Sequence, residues 1–223
     1  MTAEFAELQR DTLARDVSTN ATARELFSAL RKALLDASDT GLVRTSPQDI
    51  RKRIQLIPPK GAVHADLSAA GLAGNAYCIV GGEKNQARDR AVPNFERHDG
   101  AWFDFTLTVR EQSGKLEILA YDFEIRLPRG HGAPFLRFDL NLPDHSNQGR
   151  DLRCHLHPGS DDILVPAPLM TPLELLNLFV KLVAPTAGRA AARTPTKFER
   201  EWHIQTVALH ERPLFPGAPP RAT

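Results

Sequence analysis

Hydrophobic and polar residues alternate most regularly across the middle of the chain. The four segments with this alternation are residues 102–109, 116–127, 135–142 and 152–157. A period of two places successive side chains on opposite faces of a β-strand, so each segment has one apolar face and one polar face. The short sequence Gln112-Ser113-Gly114 separates the first two segments and predicts a β-hairpin. We therefore expect an antiparallel β-meander of four to five strands.

Helical periodicity replaces this alternation in the first part of the chain. Residues 1–17 carry a loose apolar stripe, which predicts a first helix. In residues 20–40 leucine recurs at every fourth position, at Leu26, Leu30 and Leu34, which predicts a second helix with one buried face. We expect both helices to cover the sheet.

Two further helices have clear starting signals. Residues 46–49 and residues 171–174 each place a hydroxyl residue before a proline, with an acid at the third helical position. A hydroxyl side chain caps a helix, and proline fits the first helical turn. The first of these helices is expected to end before Pro58, and the second near Ala184. The predicted fold is α+β, with helices packed on the apolar face of the meander.

Segments without clear periodicity complete the chain. Residues 76–80 predict a short buried strand, whereas residues 60–76 are expected to be irregular and residues 83–100 to form a long surface loop. Four prolines fall within the last eleven residues. We divide the chain into an N-terminal helical segment over 1–60, the sheet with its capping helix over 61–185, and a linker with a proline-rich tail over 186–223.

Composition and charge narrow the class of protein. The chain has 223 residues, of which 42% are hydrophobic and 25% are charged, as in an average soluble domain. Lys and Arg total 28 against 27 Asp and Glu, so the net charge is +1. This balance disfavours a protein that coats nucleic acid, because such proteins carry a clear basic excess.

No targeting signal is evident in the sequence. The N-terminal residues carry charges of both signs without an apolar run, and no segment has the length of about 20 apolar residues that crosses a membrane. The two cysteines, Cys78 and Cys154, lie on predicted strands and have no zinc-binding spacing. We expect a cytoplasmic bacterial protein without a membrane association.

The polar faces of the last two predicted strands have an unusual composition. Their polar residues are Arg137, Asp139 and Asn141 on one strand, and Arg153, His155 and His157 on the other. Antiparallel sheets often expose one charged face, and opposite charges commonly pair across strands, so a solvated face is the ordinary explanation. A merely solvated face is typically rich in lysine, however, and these strands have none. We therefore interpret them as a candidate catalytic site.

Two kinds of chemistry fit this set of residues. His155, His157 and Asp139 have the ligand types of a divalent metal site, which makes such a metal a candidate cofactor. Alternatively, the two histidines act as acid and base, because histidine titrates near neutral pH. Arg137 or Arg153 would then bind a phosphate group through two hydrogen bonds. This acid–base combination suits metal-independent cleavage of RNA, whose 2′-hydroxyl supplies the nucleophile.

Three more residues are candidates for binding the substrate. Asn141 and Arg126 belong to the same polar face as the candidate catalytic residues. His145 lies with Asp144 on the connection between the last two strands, from which both side chains could close over the site.

The same region carries a resemblance to known families. The sequence R-F-D-L-N at 137–141 is followed by His145, by H-L-H-P-G at 155–159 and by the T-P-L-E helix start at 171–174. This order resembles an uncharacterised bacterial family known only as a domain of unknown function. It is also distantly similar to small toxins of toxin–antitoxin modules. The resemblance covers about residues 100–184 and implies a toxin or a defence-associated protein.

Two functions are therefore expected as alternatives. The first is a nuclease-like enzyme, an endoribonuclease with RNA as its substrate. The second is a non-catalytic subunit that binds another protein, such as an antitoxin or a member of a bacterial complex. The neutral net charge, the long irregular segments and the proline-rich tail favour the second alternative.

Overall fold

An antiparallel sheet forms the centre of the structure, a computed structural model that describes residues 21–128, 132–142 and 153–182. The strands within these ranges are β1 (Ile54–Ile57), β2 (Ala76–Gly81), β3 (Phe95–Glu96), β4 (Trp102–Gln112), β5 (Lys115–Arg126), β6 (Phe135–Leu140), β7 (Cys154–Pro158) and β8 (Val165–Pro166). The helices there are α1 (Ala23–Asp39), α2 (Pro47–Arg53), α3 (Gly61–Ala69) and α4 (Pro172–Asn177), which continues as a π-helical turn over Leu178–Leu182. The α+β class predicted from the sequence is confirmed.

The order of the strands confirms the predicted meander and extends it. The sheet runs β1-β2-β4-β5-β6-β7-β8, with β3 paired on β4, and every pair is antiparallel. The four predicted strands are the consecutive neighbours β4 to β7. The described sheet has eight strands, more than the four to five expected. The turn between β4 and β5 places Ser113 and Gly114 at φ values of 52° and 74°, a region that glycine enters without strain.

Two expectations about the segments before β4 are wrong, and one strand there was not predicted. The helix that begins at Pro47 ends at Arg53, before Pro58 as expected, and residues 54–57 then form the edge strand on β2 that was not predicted. Residues 60–76, expected to be irregular, contain α3, whose N-cap Lys60 makes no side-chain capping bond and so gives no starting signal. The expected surface loop over 83–100 includes β3, in which Phe95 is fully buried.

The predicted helix caps are present where the structure describes them. The Ser46 side chain accepts a hydrogen bond from the backbone of Asp49, and Thr171 forms a reciprocal capping box with Glu174. None of the helices in the described ranges has the length and apolar character needed to cross a membrane. The helix predicted for 1–17 and the linker and tail predicted for 186–223 lie outside the described residues.

The apolar face of the sheet packs against α1 and the α4 segment. Leu30 and Leu34 of α1 are fully buried in the main hydrophobic core, as their four-residue spacing predicts. The Phe105 and Phe123 rings of β4 and β5 stack at 4.9 Å between centroids, and Phe179 meets Phe123 edge-on at 6.1 Å. Burying these rings supplies much of the folding free energy and leaves the other face of the sheet free for polar groups.

Gly81 of β2 is expected to be essential for this packing. A Cβ atom at Gly81 would lie 2.3 Å from two carbons of the Phe105 ring. The ring is 1% exposed and stacked on Phe123, so it has no room to turn away. Gly81→Ala should lower the free energy of unfolding by about 2 kcal/mol or more, measured by denaturant unfolding.

Gly74→Ala is the matched control, because no atom lies within 4 Å of a Cβ at that position. This variant should stay within about 0.5 kcal/mol of the wild type. Equal stability of the two variants would show that the Phe105 ring does not occupy the space above Gly81.

Candidate functional site

Strand register aligns polar side chains in two rows that cross four strands. One row contains Asp104, Glu124, Arg137 and His157, and the other contains Thr106, Asp122, Asp139 and His155. Residues that pair directly across antiparallel strands project from the same face. The polar residues of β4, β5, β6 and β7 therefore share the face of the sheet opposite the phenylalanine core.

A cavity of about 520 Å³ lies on this polar face. Its volume falls within the range of roughly 300–1,000 Å³ that is usual for small-molecule sites. The charged residues that line it are Asp66, Lys84, Arg88, Asp104, Asp122, Glu124, Arg126, Arg137, Asp139 and Asp161. Six of these side chains are carboxylic acids and four are cationic, so two formal negative charges are unmatched within the lining.

Asp139, His155 and His157 meet at the wall of the cavity. The Nε2 atoms of the two histidines lie 3.1 Å apart, and they lie 3.3 and 3.2 Å from Oδ2 of Asp139. Asp139 lines the cavity, whereas His155 and His157 are only 1% and 4% exposed. The structure therefore brings together three residues singled out from the sequence, in a cluster with the ligand types of a metal site.

Neighbouring groups orient this cluster. Nδ1 of His157 lies 3.3 Å from the carbonyl oxygen of Ser160. Because a carbonyl only accepts hydrogen bonds, Nδ1 carries the proton, and in the neutral imidazole Nε2 keeps its lone pair. Arg137 Nε donates to both carboxylate oxygens of Asp139, at 3.2 and 2.9 Å. Burial favours a raised pKa for Asp139, but the contacts with the His155 and His157 rings and the charge of Arg137 hold that pKa below its ordinary value.

Glu124 joins the arginines of the cavity. Arg88 Nε donates to Glu124 at 2.8 Å, and Nη1 of Arg137 lies 3.6 Å from the same carboxylate. Both arginines also reach Asp161, at 2.8 and 2.5 Å. These contacts tie the loop that carries Arg88 and the turn that carries Asp161 to the middle of the sheet.

Arg126, a candidate for substrate binding, is held by contacts with neighbouring groups of the protein. Its guanidinium forms an ion pair with Asp104 and donates to the carbonyl oxygen of Asn85 at 3.0 Å. Its Nε lies 2.7 Å from Glu124 Oε1, as an ion-pair contact without the alignment of a hydrogen bond. Arg126 is only 5% exposed, so it positions the wall of the cavity and the segment around Asn85.

The remaining candidates lie apart from the cluster. Arg153, which is not among the cavity-lining residues, donates to the backbone carbonyl oxygens of Asn141 and Leu119, at 3.1 Å each, and so secures the end of β6 against its neighbours. Asn141 lines the cavity beside Leu140. His145 and Asp144 lie outside the described residues.

Sequence reasoning missed several functional groups of the cavity. Asp122 sits between Thr106 and Asp139 in its row and makes no hydrogen bond or ion pair within the described ranges. Burial and the nearby charge of Asp139 raise the pKa of Asp122 to about 7. Strand alternation placed Asp122 on the polar face but could not show that it lacks a cation partner. Lys84 and Arg88 come from the segment expected to be a surface loop.

Comparison with known proteins finds no matching family model, no matching curated protein and no matching solved structure.

Replacing Asp122 is expected to change how stability depends on pH. Its carboxyl titrates at about 7 in the folded protein and near 3.9 in an unfolded chain. The folded state thus binds this proton more tightly, and the resulting stabilisation is complete below about pH 4 and lost as the pH rises through about 7. Because one pKa unit corresponds to about 1.4 kcal/mol, Asp122→Asn should gain up to about 4 kcal/mol relative to the wild type between about pH 4 and pH 8.

Urea unfolding in the presence of a chelator measures this gain. Asp66→Asn is the matched control, because Asp66 lines the same cavity but is exposed to solvent. A stability difference between Asp122→Asn and wild type that is the same at both ends of the pH range would contradict the assignment.

Proposed function

We propose that the cavity is the active site of a hydrolase that cleaves phosphodiester bonds in RNA. One observation carries the proposal: polar atoms of Asp139, His155 and His157 converge, at distances of 3.1–3.3 Å from one another. They do so in the wall of a cavity whose volume is usual for a small-molecule site. Convergence of such groups beside a cavity is the usual sign of a reaction centre.

The burial of the histidines favours one of the two chemistries that the sequence left open. A general acid or base must reach the proton that it transfers. His155 and His157 are 1% and 4% exposed, and only Asp139 of the three lines the cavity. An imidazole that only binds a metal ion does not have to reach a proton of the substrate. A divalent ion held by the cluster would lower the pKa of bound water and stabilise charge that develops on a phosphate.

Lys84 supplies a cation for the substrate. Arg88, Arg126 and Arg137 are all engaged by carboxylates of the cavity. Lys84 lines the cavity, is exposed, and has no ion-pair partner in the part of the chain that the structure describes. An exposed ammonium group at this position is available to a phosphate of the substrate.

The resemblance to small toxins of toxin–antitoxin modules supports a role in bacterial defence.

A second candidate is a protein-binding subunit without catalysis. It is favoured by Ile163 and Val165, the large hydrophobic residues that are exposed within the described ranges, at 50% and 41%. They lie at the β8 edge of the sheet, where another chain could bind.

Asp139→Asn is expected to abolish RNA cleavage. The substitution keeps the shape of the side chain but removes the negative charge that faces His155, His157 and Arg137. Cleavage of a fluorescent RNA in the presence of Zn²⁺, Mn²⁺ or Mg²⁺ should fall by at least about 100-fold.

Asp39→Asn is the control for this experiment, because Asp39 is an exposed carboxylate at the end of α1. Its activity should equal that of the wild type. If the wild type cleaves neither RNA nor DNA with any of these ions, the hydrolase proposal fails and the protein-binding candidate takes its place.

Lys84→Ala should weaken substrate binding more than it slows the reaction. Lys84 lines the cavity without belonging to the Asp139 cluster, so loss of its charge should raise KM about 10-fold and leave kcat within about 2-fold. Lys60→Ala, at an exposed lysine before α3, should leave both constants unchanged. A lower kcat with an unchanged KM would place Lys84 in the chemical step.

A further inference from the structure

We propose that Asp139, His155 and His157 bind one divalent transition-metal ion through two imidazole nitrogens and one carboxylate oxygen. This inference deepens the proposed function, on which the catalytic role of the ion rests, by naming the class of cofactor. Binding of the ion itself rests on the geometry of the three side chains.

Hydrogen bonds alone do not satisfy the three contacts of the cluster. Asp139 Oδ2 only accepts when ionised, and the two Nε2 atoms face both it and each other. If both nitrogens carry protons, these protons oppose each other across 3.1 Å. If only one nitrogen does, the lone pair of the other faces the carboxylate. A cation between the three atoms satisfies all of their lone pairs at once.

The distances between the three atoms suit a metal ion. Zinc binds histidine nitrogen at about 2.0–2.1 Å, so two of its ligands lie about 2.9 Å apart at right angles and about 3.4 Å apart at the tetrahedral angle. The observed separations of 3.1, 3.2 and 3.3 Å fall between these limits. The side chains therefore need little rearrangement to bind an ion, which keeps the cost of binding low.

The groups around the cluster match those that support metal ligands. Nδ1 of His157 faces the Ser160 carbonyl oxygen at 3.3 Å, which orients the Nε2 lone pair toward the cluster. Arg137 Nε holds the Asp139 carboxylate at 2.9 Å. Such outer contacts fix the ligand tautomer and the orientation of the carboxylate.

The ligand types indicate which ions bind. Two nitrogen ligands and one oxygen ligand suit Zn²⁺, Fe²⁺ or Co²⁺, whereas Mg²⁺ and Ca²⁺ require sites made mainly of oxygen. Asp139 is both ligand and cavity-lining residue, so the bound ion lies at the margin of the cavity.

Calorimetric titration of chelator-treated full-length protein with Zn²⁺, Co²⁺ or Mg²⁺ tests the proposal. The wild type should bind one equivalent of Zn²⁺ and one of Co²⁺, with a visible Co²⁺ spectrum that Zn²⁺ displaces, and should bind Mg²⁺ at least about 100-fold more weakly. Asp139→Asn and His155→Asn should each weaken Zn²⁺ binding by at least about 100-fold. His98→Asn, at an exposed histidine, should bind as the wild type does.

Circular dichroism establishes whether each variant folds. If His155→Asn does not fold, Asp139→Asn and the wild-type Co²⁺ spectrum decide the question. Absence of stoichiometric binding, or equal binding by Asp139→Asn and wild type, overturns the metal site. Zinc binding without RNA cleavage leaves the metal site intact and overturns the proposed function. Cleavage by a metal-free protein that also binds no Zn²⁺ overturns the metal site and leaves the proposed function standing.

Discussion

The pairing of β6 with β7 is the constraint on which the cavity depends. It sets Asp139 opposite His155 and Arg137 opposite His157, so that a carboxylate, two imidazoles and a guanidinium occupy adjacent positions on one face. A slip of one residue would turn every one of these side chains on one strand to the opposite face. The phenylalanine core prevents such a slip, because the apolar residues of the strands would then have to leave it. Packing on one face of the sheet therefore fixes the arrangement of the polar groups on the other.

The polar face in turn depends on mutual neutralisation of buried charge. Glu124 lies among three arginines, and Arg126 and Asp104 form a pair in which both residues are about 5% exposed. Such networks contribute little net stability, but loss of one member leaves a costly unpaired charge. Burial raises the pKa of Asp104 to about 6 even beside Arg126, which shows how strongly this face resists ionised groups. Asp139, by contrast, has contacts with two histidines and an arginine, which hold its pKa below the ordinary value.

The sequence predicted the regular parts of this molecule well. Alternation identified β4 to β7 and their polar face, and capping signals identified α2 and α4. It failed where structure comes from tertiary contacts: β1 is only four residues long and forms against β2, and α3 lacks a capping side chain. The candidates on β6 and β7 that converge are those whose register places them together. Lys84, Arg88 and Asp161 reach the cavity through contacts between segments that are distant in the sequence. Arg88, for example, binds Glu124 across a separation of 36 residues and Asp161 across 73, and no local pattern encodes such contacts.

The proposed cation-binding centre consists of one carboxylate and two imidazoles. X-ray diffraction from crystals grown with Zn²⁺, recorded on both sides of the zinc absorption edge, tests it most directly. We predict one anomalous peak about 2.0–2.2 Å from Oδ2 of Asp139 and from Nε2 of both His155 and His157. A peak elsewhere, or an electron-density map in which the two Nε2 atoms point away from Asp139, would contradict it.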